Sequence, residues 1–139
     1  MSHRQHILTF RAPRQGLLEI TDETSHWMRL QSVTTVLLTR FLRHTSASIL
    51  IQENADPDVL ADLEDFFANV APENSSLYRH NSEGPDDMPA HIKGALTQTQ
   101  LSIPVSCGKM LLGQWQGIYL FEHRRAPRDR DLVLHLMGE

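Results

Sequence analysis

Between Val33 and Arg43 the chain reads VTTVLLTRFLR, a run of β-branched and aliphatic residues without glycine or proline. No other segment constrains the fold more. Such a run favours an extended strand, whose side chains alternate between two faces. On that register Val36, Leu38, Leu42 and His44 share one face. The row ends in HTSAS, where small hydroxyl and methyl groups replace large apolar ones, so His44 is expected beside room for a ligand.

Around this strand, elements alternate without repeats or low-complexity segments. His6 to Arg11 and Leu17 to Thr21 are expected strands, separated by the turn residues Pro13 and Gly16. Thr21 or Asp22 then caps a helix to about Ser32, with Trp27, Met28 and Leu30 on its apolar side. Ile49 to Gln52 resumes a strand, and Glu53, Asn54 and Asp56 follow at its exit. Asp56 with Pro57 opens a helix ending near Pro72, whose stripe is Leu60, Leu63, Phe66, Phe67 and Val70. A third helix, capped by Asp87, is expected to reach about Thr99 with Ile92, Ala95 and Leu96 apolar. The last third reads as sheet: Ile103 to Ser106, about Met110 to His123, and about Asp131 to Met137.

The segment HNSEGPDDMPAH, from His80 to His91, places two histidines around Glu83, Asp86 and Asp87 at a Gly-Pro turn. Imidazole nitrogens and carboxylate oxygens bind divalent metals without sulfur, so this is a candidate site. A solvated acidic loop before a helix fits the same residues. His91, near the positive end of that helix, fits either a ligand site or simple packing.

Composition narrows the classes. At 139 residues the chain suits a single domain spanning 1–139, one that buries roughly two thirds of its unfolded surface. With 40% hydrophobic and 22% charged residues, neither disorder nor a membrane span is expected. The start, MSHRQHILTF, has no h-region or small-residue cleavage site, which predicts a cytoplasmic protein. A net charge of −4 argues against general nucleic-acid binding, since phosphate backbones demand a basic surface. Cys107, the single cysteine, excludes an intrachain disulfide and reads as a small buried hydrophobe.

Two further stretches carry candidate chemistry. In LLGQWQGIYLFEH, glycines flank Trp115, so its face is expected to receive a ring or a second backbone, from substrate or from a neighbouring subunit. In HRRAPRDR, Arg128 and Arg130 suit a phosphate clamp, because the guanidinium fork grips oxyanions bidentately; a solvated hairpin tip is the alternative.

HTSAS from His44, EN with Asp56, the His80–His91 segment ending AHIK, LGQWQGI from Leu112, Glu122, and PRDR from Pro127 together resemble the YjbQ-like family over nearly the whole chain. Gln114, His123 and Ala126 depart from the residues expected at those positions. The resemblance implies an α+β fold with a largely antiparallel, sandwich-like sheet and about three helices, assembled as a homotrimer with pockets near subunit boundaries. It also implies His44, His80 and His91 as metal ligands, with Glu53, Asp86, Asp87 and Glu122 orienting them or acting on substrate.

The associated activity is a secondary thiamine-phosphate synthase reaction, joining a pyrimidine diphosphate to a thiazole phosphate. Lys109, Arg128 and Arg130 would hold the departing diphosphate, Trp115 the pyrimidine face, and Gln116 or Glu53 its amino edge. Three histidines favour a zinc-like ion, whereas diphosphate chemistry commonly uses magnesium. A metal-dependent hydrolase of phosphate esters or amides, with Glu53 or Asp87 as general base, is therefore a second expectation. A non-catalytic trimer binding a small phosphorylated or heterocyclic ligand is a third.

Overall fold

The computed structural model describes residues 1–139. The elements in order are β1 (Ser2–Ala12), β2 (Gly16–Glu19), α1 (Thr21–Arg29), β3 (Thr35–Leu42), β4 (Ala47–Glu53), α2 (Pro57–Val70), α3 (Asp87–Leu96), β5 (Gln100–Ser106), β6 (Lys109–Met110), β7 (Gln116–Glu122) and β8 (Arg128–Gly138). The strands form a five-stranded antiparallel sheet ordered β1-β8-β3-β5-β6 and a three-stranded antiparallel sheet ordered β2-β7-β4. This is an α+β fold. No helix is long and apolar enough to cross a membrane.

Alternation along the strands builds the core. Val36, Leu38 and Leu42 of β3, Leu132, Leu134 and Leu136 of β8, and Ile103 and Val105 of β5 face Ile49 of β4 and Ile118 and Leu120 of β7. The inward row of β3 also contains Arg40, fully buried, whose Nη2 donates to Thr24 Oγ1 at 2.8 Å. Its Nε and Nη1 have no hydrogen-bond partner, and desolvation lowers its pKa to about 9. The opposite parity of β7, Tyr119 and Phe121, packs with Leu17 against Leu60, Leu63 and Phe67 of α2. That explains the unbroken apolar run IYLF: β7 is buried on both faces.

Several local expectations change. Asp56 caps α2, its carboxylate accepting from Asp58 N at 2.9 Å, but Phe66 and Val70 remain exposed. In α1, Met28 is buried and Leu30 lies exposed past the last turn. Thr21 is not a cap: its hydroxyl donates to Glu19 and accepts from Ile118 N, tying α1 to β7. The strand expected over Met110–His123 is broken by a loop at 111–115, and Trp115 in that loop is 56% exposed. Gly117 serves internal packing: a Cβ there would lie 2.6 Å from Glu19 Oε2 and 3.1 Å from the Tyr119 ring. Cys107 is exposed at a turn with φ +50°, the corner between β5 and β6, and is not a core residue.

Candidate metal centre

The α3 helix buries two charged residues beside two small apolar ones. In place of Ile92, Ala95 and Leu96, its buried residues are Asp87, Pro89, Ala90 and Lys93, and Leu96 is exposed. Asp87 opens the helix without capping it; its side chain turns to the segment that precedes it. Asp87 Oδ2 meets His80 Nε2 at 2.5 Å and His91 Nε2 at 3.4 Å. His91 lies one helical turn on from Asp87, so the two share a face. The two imidazoles pack edge to face with centroids 5.4 Å apart. One donor atom from each of His80, Asp87 and His91 falls within 4.8 Å of the others. Glu83 stands at the rim, its Oε2 3.2 Å from His80 Nε2.

A buried carboxylate thus sits beneath two partly exposed imidazoles: side-chain exposures are 5% for Asp87, 44% for His80 and 37% for His91. Asp87's other oxygen is held from behind, Oδ1 accepting from Arg124 Nη1 at 2.7 Å. Arg124 also donates from Nε to Asp86 Oδ2 (3.1 Å) and from Nη2 to the Glu83 carbonyl (2.9 Å), clasping the whole acidic turn. Asp86 Oδ2 accepts in addition from the backbone N–H of Arg125 at 2.9 Å.

Burial pushes Asp87 upward, yet hydrogen bonds with His80 and Glu83 and the charge of Arg124 prevail and hold it below the usual carboxylate range. Asp86 is likewise held down, burial being outweighed by the Arg125 N–H and the Arg124 guanidinium. His80 is raised, chiefly by its hydrogen bond to Asp87. Two imidazoles and one carboxylate, with solvent on the open side, form a donor set that fits a zinc-like divalent ion with three protein ligands. Arg124, anchoring that carboxylate from behind, supplies the outer support such sites use.

His44 stands elsewhere. Its Nε2 accepts the backbone N–H of Asp131 at 2.8 Å, which leaves only Nδ1 for any other partner. Desolvation, then the charge of Arg130, lowers its pKa. It lines a separate concavity of about 470 Å³ with Arg43, Thr45, Ser46, Thr99 and Arg130. Within one chain, then, the expected ligands His80 and His91 come together with Asp87, while His44 faces a different hollow.

The remaining expected residues are dispersed. Arg130 is buried and bound to Glu122, with Nε to Oε1 at 2.6 Å and Nη2 to Oε2 at 2.5 Å; Nη2 also donates to Ser46 O and Oγ. It reaches the His44 hollow already neutralised, unlike a free phosphate clamp. Glu122 Oε2 accepts further from Arg124 N at 3.0 Å, so this pair props the strand exit that carries Arg124. Arg128 donates from Nε to the Ala126 carbonyl. Lys109 is exposed on the β5–β6 hairpin, beside Ser25, Arg29 and Met110. Gln116 Oε1 accepts from Gly113 N at 2.7 Å, and half-buried Glu53 ends β4.

Sequence reasoning misses Arg124 although it stands in HRRAPRDR. Nothing local separates it from Arg128, because its partners lie in a distant segment.

Comparison with known proteins then places the molecule. The family model for UPF0047 protein YjbQ-like matches residues 6–139. The chain belongs to the YjbQ-like UPF0047 family. It is 49% identical to UPF0047 protein sll1880 of Synechocystis over 98% of this chain and 94% of that one. It is 43% identical to UPF0047 protein YjbQ of Salmonella typhimurium, covering 97% and 98% respectively. Among solved structures, a conserved hypothetical protein from Thermus thermophilus superposes with TM-score 0.81 at 32% identity, covering 92% of this chain and 97% of that one. A YbjQ-like protein of unknown function from Sulfolobus solfataricus superposes with TM-score 0.85 at 20% identity over 99% and 100%, a likeness of fold. The YjbQ-like family frame thus spans both sheets and the His80–His91 segment.

Proposed function

We propose that this chain is a metal-assisted transferase acting on phosphorylated substrates, of the secondary thiamine-phosphate synthase type, with His80, Asp87 and His91 as the metal ligands. The convergence of those three donor atoms within 4.8 Å, open to solvent on one side, carries the proposal. Bound there, a divalent ion would supply Lewis acidity, polarising a phosphoryl oxygen or acidifying a water. Arg124 holds Asp87 as a carboxylate and fixes its orientation. The hollow around His44, with Arg43, Thr45 and Ser46, offers cationic and hydroxyl groups suited to a phosphate or heterocycle.

A homotrimer belongs to the same proposal. On the outward face of the five-stranded sheet two apolar groups, Ile7 with Val133 and Phe41, and Leu37 with Met137, flank a polar row of Gln5, His135 and Thr39. Ile7, Phe41, Leu37 and Met137 are exposed in the single chain, as expected of a face that another copy covers. Assembly would give the His44 hollow a neighbour's surface to close against.

Hydrolysis of phosphate esters is the second reading, favoured by the donor set itself, since His₂Asp with an open position suits a zinc-like ion and water. Tag-free protein should retain divalent metal that His80→Ala and His91→Ala release, and should liberate pyrophosphate only with both the pyrimidine diphosphate and the thiazole phosphate present. Phosphate release from simple esters would transfer the assignment to hydrolysis. Metal content indifferent to both substitutions would remove the metal from the proposal.

A further inference from the structure

We propose that the cavity between α2 and α3 is a second ligand site, taking a small organic oxyanion, a carboxylate or phosphate ester, on the ammonium group of Lys93. The cavity, about 300 Å³, is lined by Gln15, Ala68, Ala71, Pro72, Glu73, Lys93 and Arg125. None of these belongs to the metal centre or to the hollow around His44.

The charges around the cavity do not cancel. Glu73 is matched: its Oε1 accepts from Gln15 Nε2 at 3.1 Å and its Oε2 lies against the Arg125 guanidinium. Gln15 is fixed in turn, donating from the same nitrogen to the His123 carbonyl at 2.9 Å. Lys93 is only 5% exposed, and its ammonium has neither a hydrogen-bond partner nor a carboxylate within ion-pair distance. The Lys93 stem is packed away while its ammonium nitrogen keeps contact with solvent and meets no protein acceptor, so an anion entering the cavity would find its donors free. Its remaining exposure is to the cavity it lines.

His123, buried near Lys93, is held neutral, its pKa lowered to about 3 by desolvation first and then by the charges of Lys93 and Arg130, so it adds no positive charge beside the cavity. Elsewhere the protein overwhelmingly uses arginine: Lys93 and Lys109 are the two lysines among 13 basic residues. A compact ammonium on a flexible stem suits a narrow cavity where a planar guanidinium would need room for its fork.

Size and lining define the ligand class. A bare phosphate would leave much of the volume empty, whereas an oxyanion head on Lys93 would leave its organic body against Ala68, Ala71 and Pro72. Arg125, exposed at the rim, is already paired with Glu73, which leaves Lys93 as the cation of this cavity without a carboxylate of its own.

The test is calorimetric titration of metal-stripped, full-length protein with inorganic phosphate, glycerol phosphate, pyruvate and, as an uncharged control, glycerol. Binding of glycerol phosphate or pyruvate is expected, and the one that binds tighter identifies the head group. Lys93→Met should weaken it at least tenfold. Ala68→Phe, which fills the cavity without altering charge, should also abolish it and covers the case in which Lys93→Met misfolds. His80→Ala should retain binding, separating this site from the metal centre. Absence of binding by any of the anions, or binding unchanged in both Lys93→Met and Ala68→Phe, would overturn the proposal.

Discussion

Arg124 Nη1 donates to Asp87 Oδ1 at 2.7 Å while the other oxygen of that carboxylate meets His80 and His91. One carboxylate is thereby divided between an internal cation and a solvent-facing donor set. Arg124 touches neither histidine, so it is a positioning residue. Arg124→Gln is predicted to weaken divalent-metal binding by about 10- to 100-fold, the usual cost of losing such support. Competition with a chromophoric chelator would measure it, and affinity equal to wild type would assign Arg124 to structure alone.

Glu122 and Arg130 form a buried, bidentate pair. Breaking it singly leaves an uncompensated buried charge, so Arg130→Met should lower unfolding free energy by about 3–5 kcal/mol. The double substitution Glu122→Gln with Arg130→Met should recover part of that loss in urea denaturation. Equal destabilisation in the single and double variants would instead indicate that Arg130 acts mainly through its Ser46 contacts.

His123 links stability to pH. Buried against Phe121 and hydrogen-bonded to Ser48 at 2.9 Å, it has a pKa of about 3 in the folded protein, below its unfolded value near 6.5. Below about pH 6.5 the unfolded chain binds a proton that the folded chain refuses. Stability is therefore full above that pH and falls between about 6.5 and 3, by up to about 1.4 kcal/mol per pH unit from this residue. His123→Gln should flatten the acid limb of the urea-midpoint profile. A profile parallel to wild type would refute the assignment.

Arg40 occupies a core position with two unpartnered nitrogens. Its single partner, Thr24 Oγ1, also donates to the Ile20 carbonyl at 3.1 Å and so stays satisfied without it. Arg40→Met should stabilise the fold by about 1–3 kcal/mol, visible as a higher Tm. A lower Tm would show that the guanidinium packs better than it is solvated.

What can be read in advance follows the range of the interactions. The inward row Val36, Leu38, Leu42 and the Asp56-Pro57 helix start are local patterns, and the structure reproduces them. Arg40 in that same row is invisible as a core residue, because alternation names a face and not its polarity. The α3 stripe is misplaced since Asp87 turns inward to Arg124, a partner remote in sequence, and Lys93 lines a cavity closed by the end of α2 and Arg125. Four arginines in HRRAPRDR look alike; Arg124 and Arg130 differ from the others only through Asp86, Asp87 and Glu122. The His80–His91 segment is legible as a candidate site because both imidazoles and Asp87 come from it. Where His44 stands depends on how β3 and β8 pair.

That pairing also sets a timetable. β8 lies between β1 and β3, matched residue for residue with β1 from Ser2 opposite Gly138 to Ala12 opposite Arg128. Until the last strand leaves the ribosome, the first has no partner and β3 has only one. Such a chain cannot zip up from its beginning. It must hold two bare strand edges in check during synthesis and close its larger sheet in one late event, where slow folding and aggregation compete.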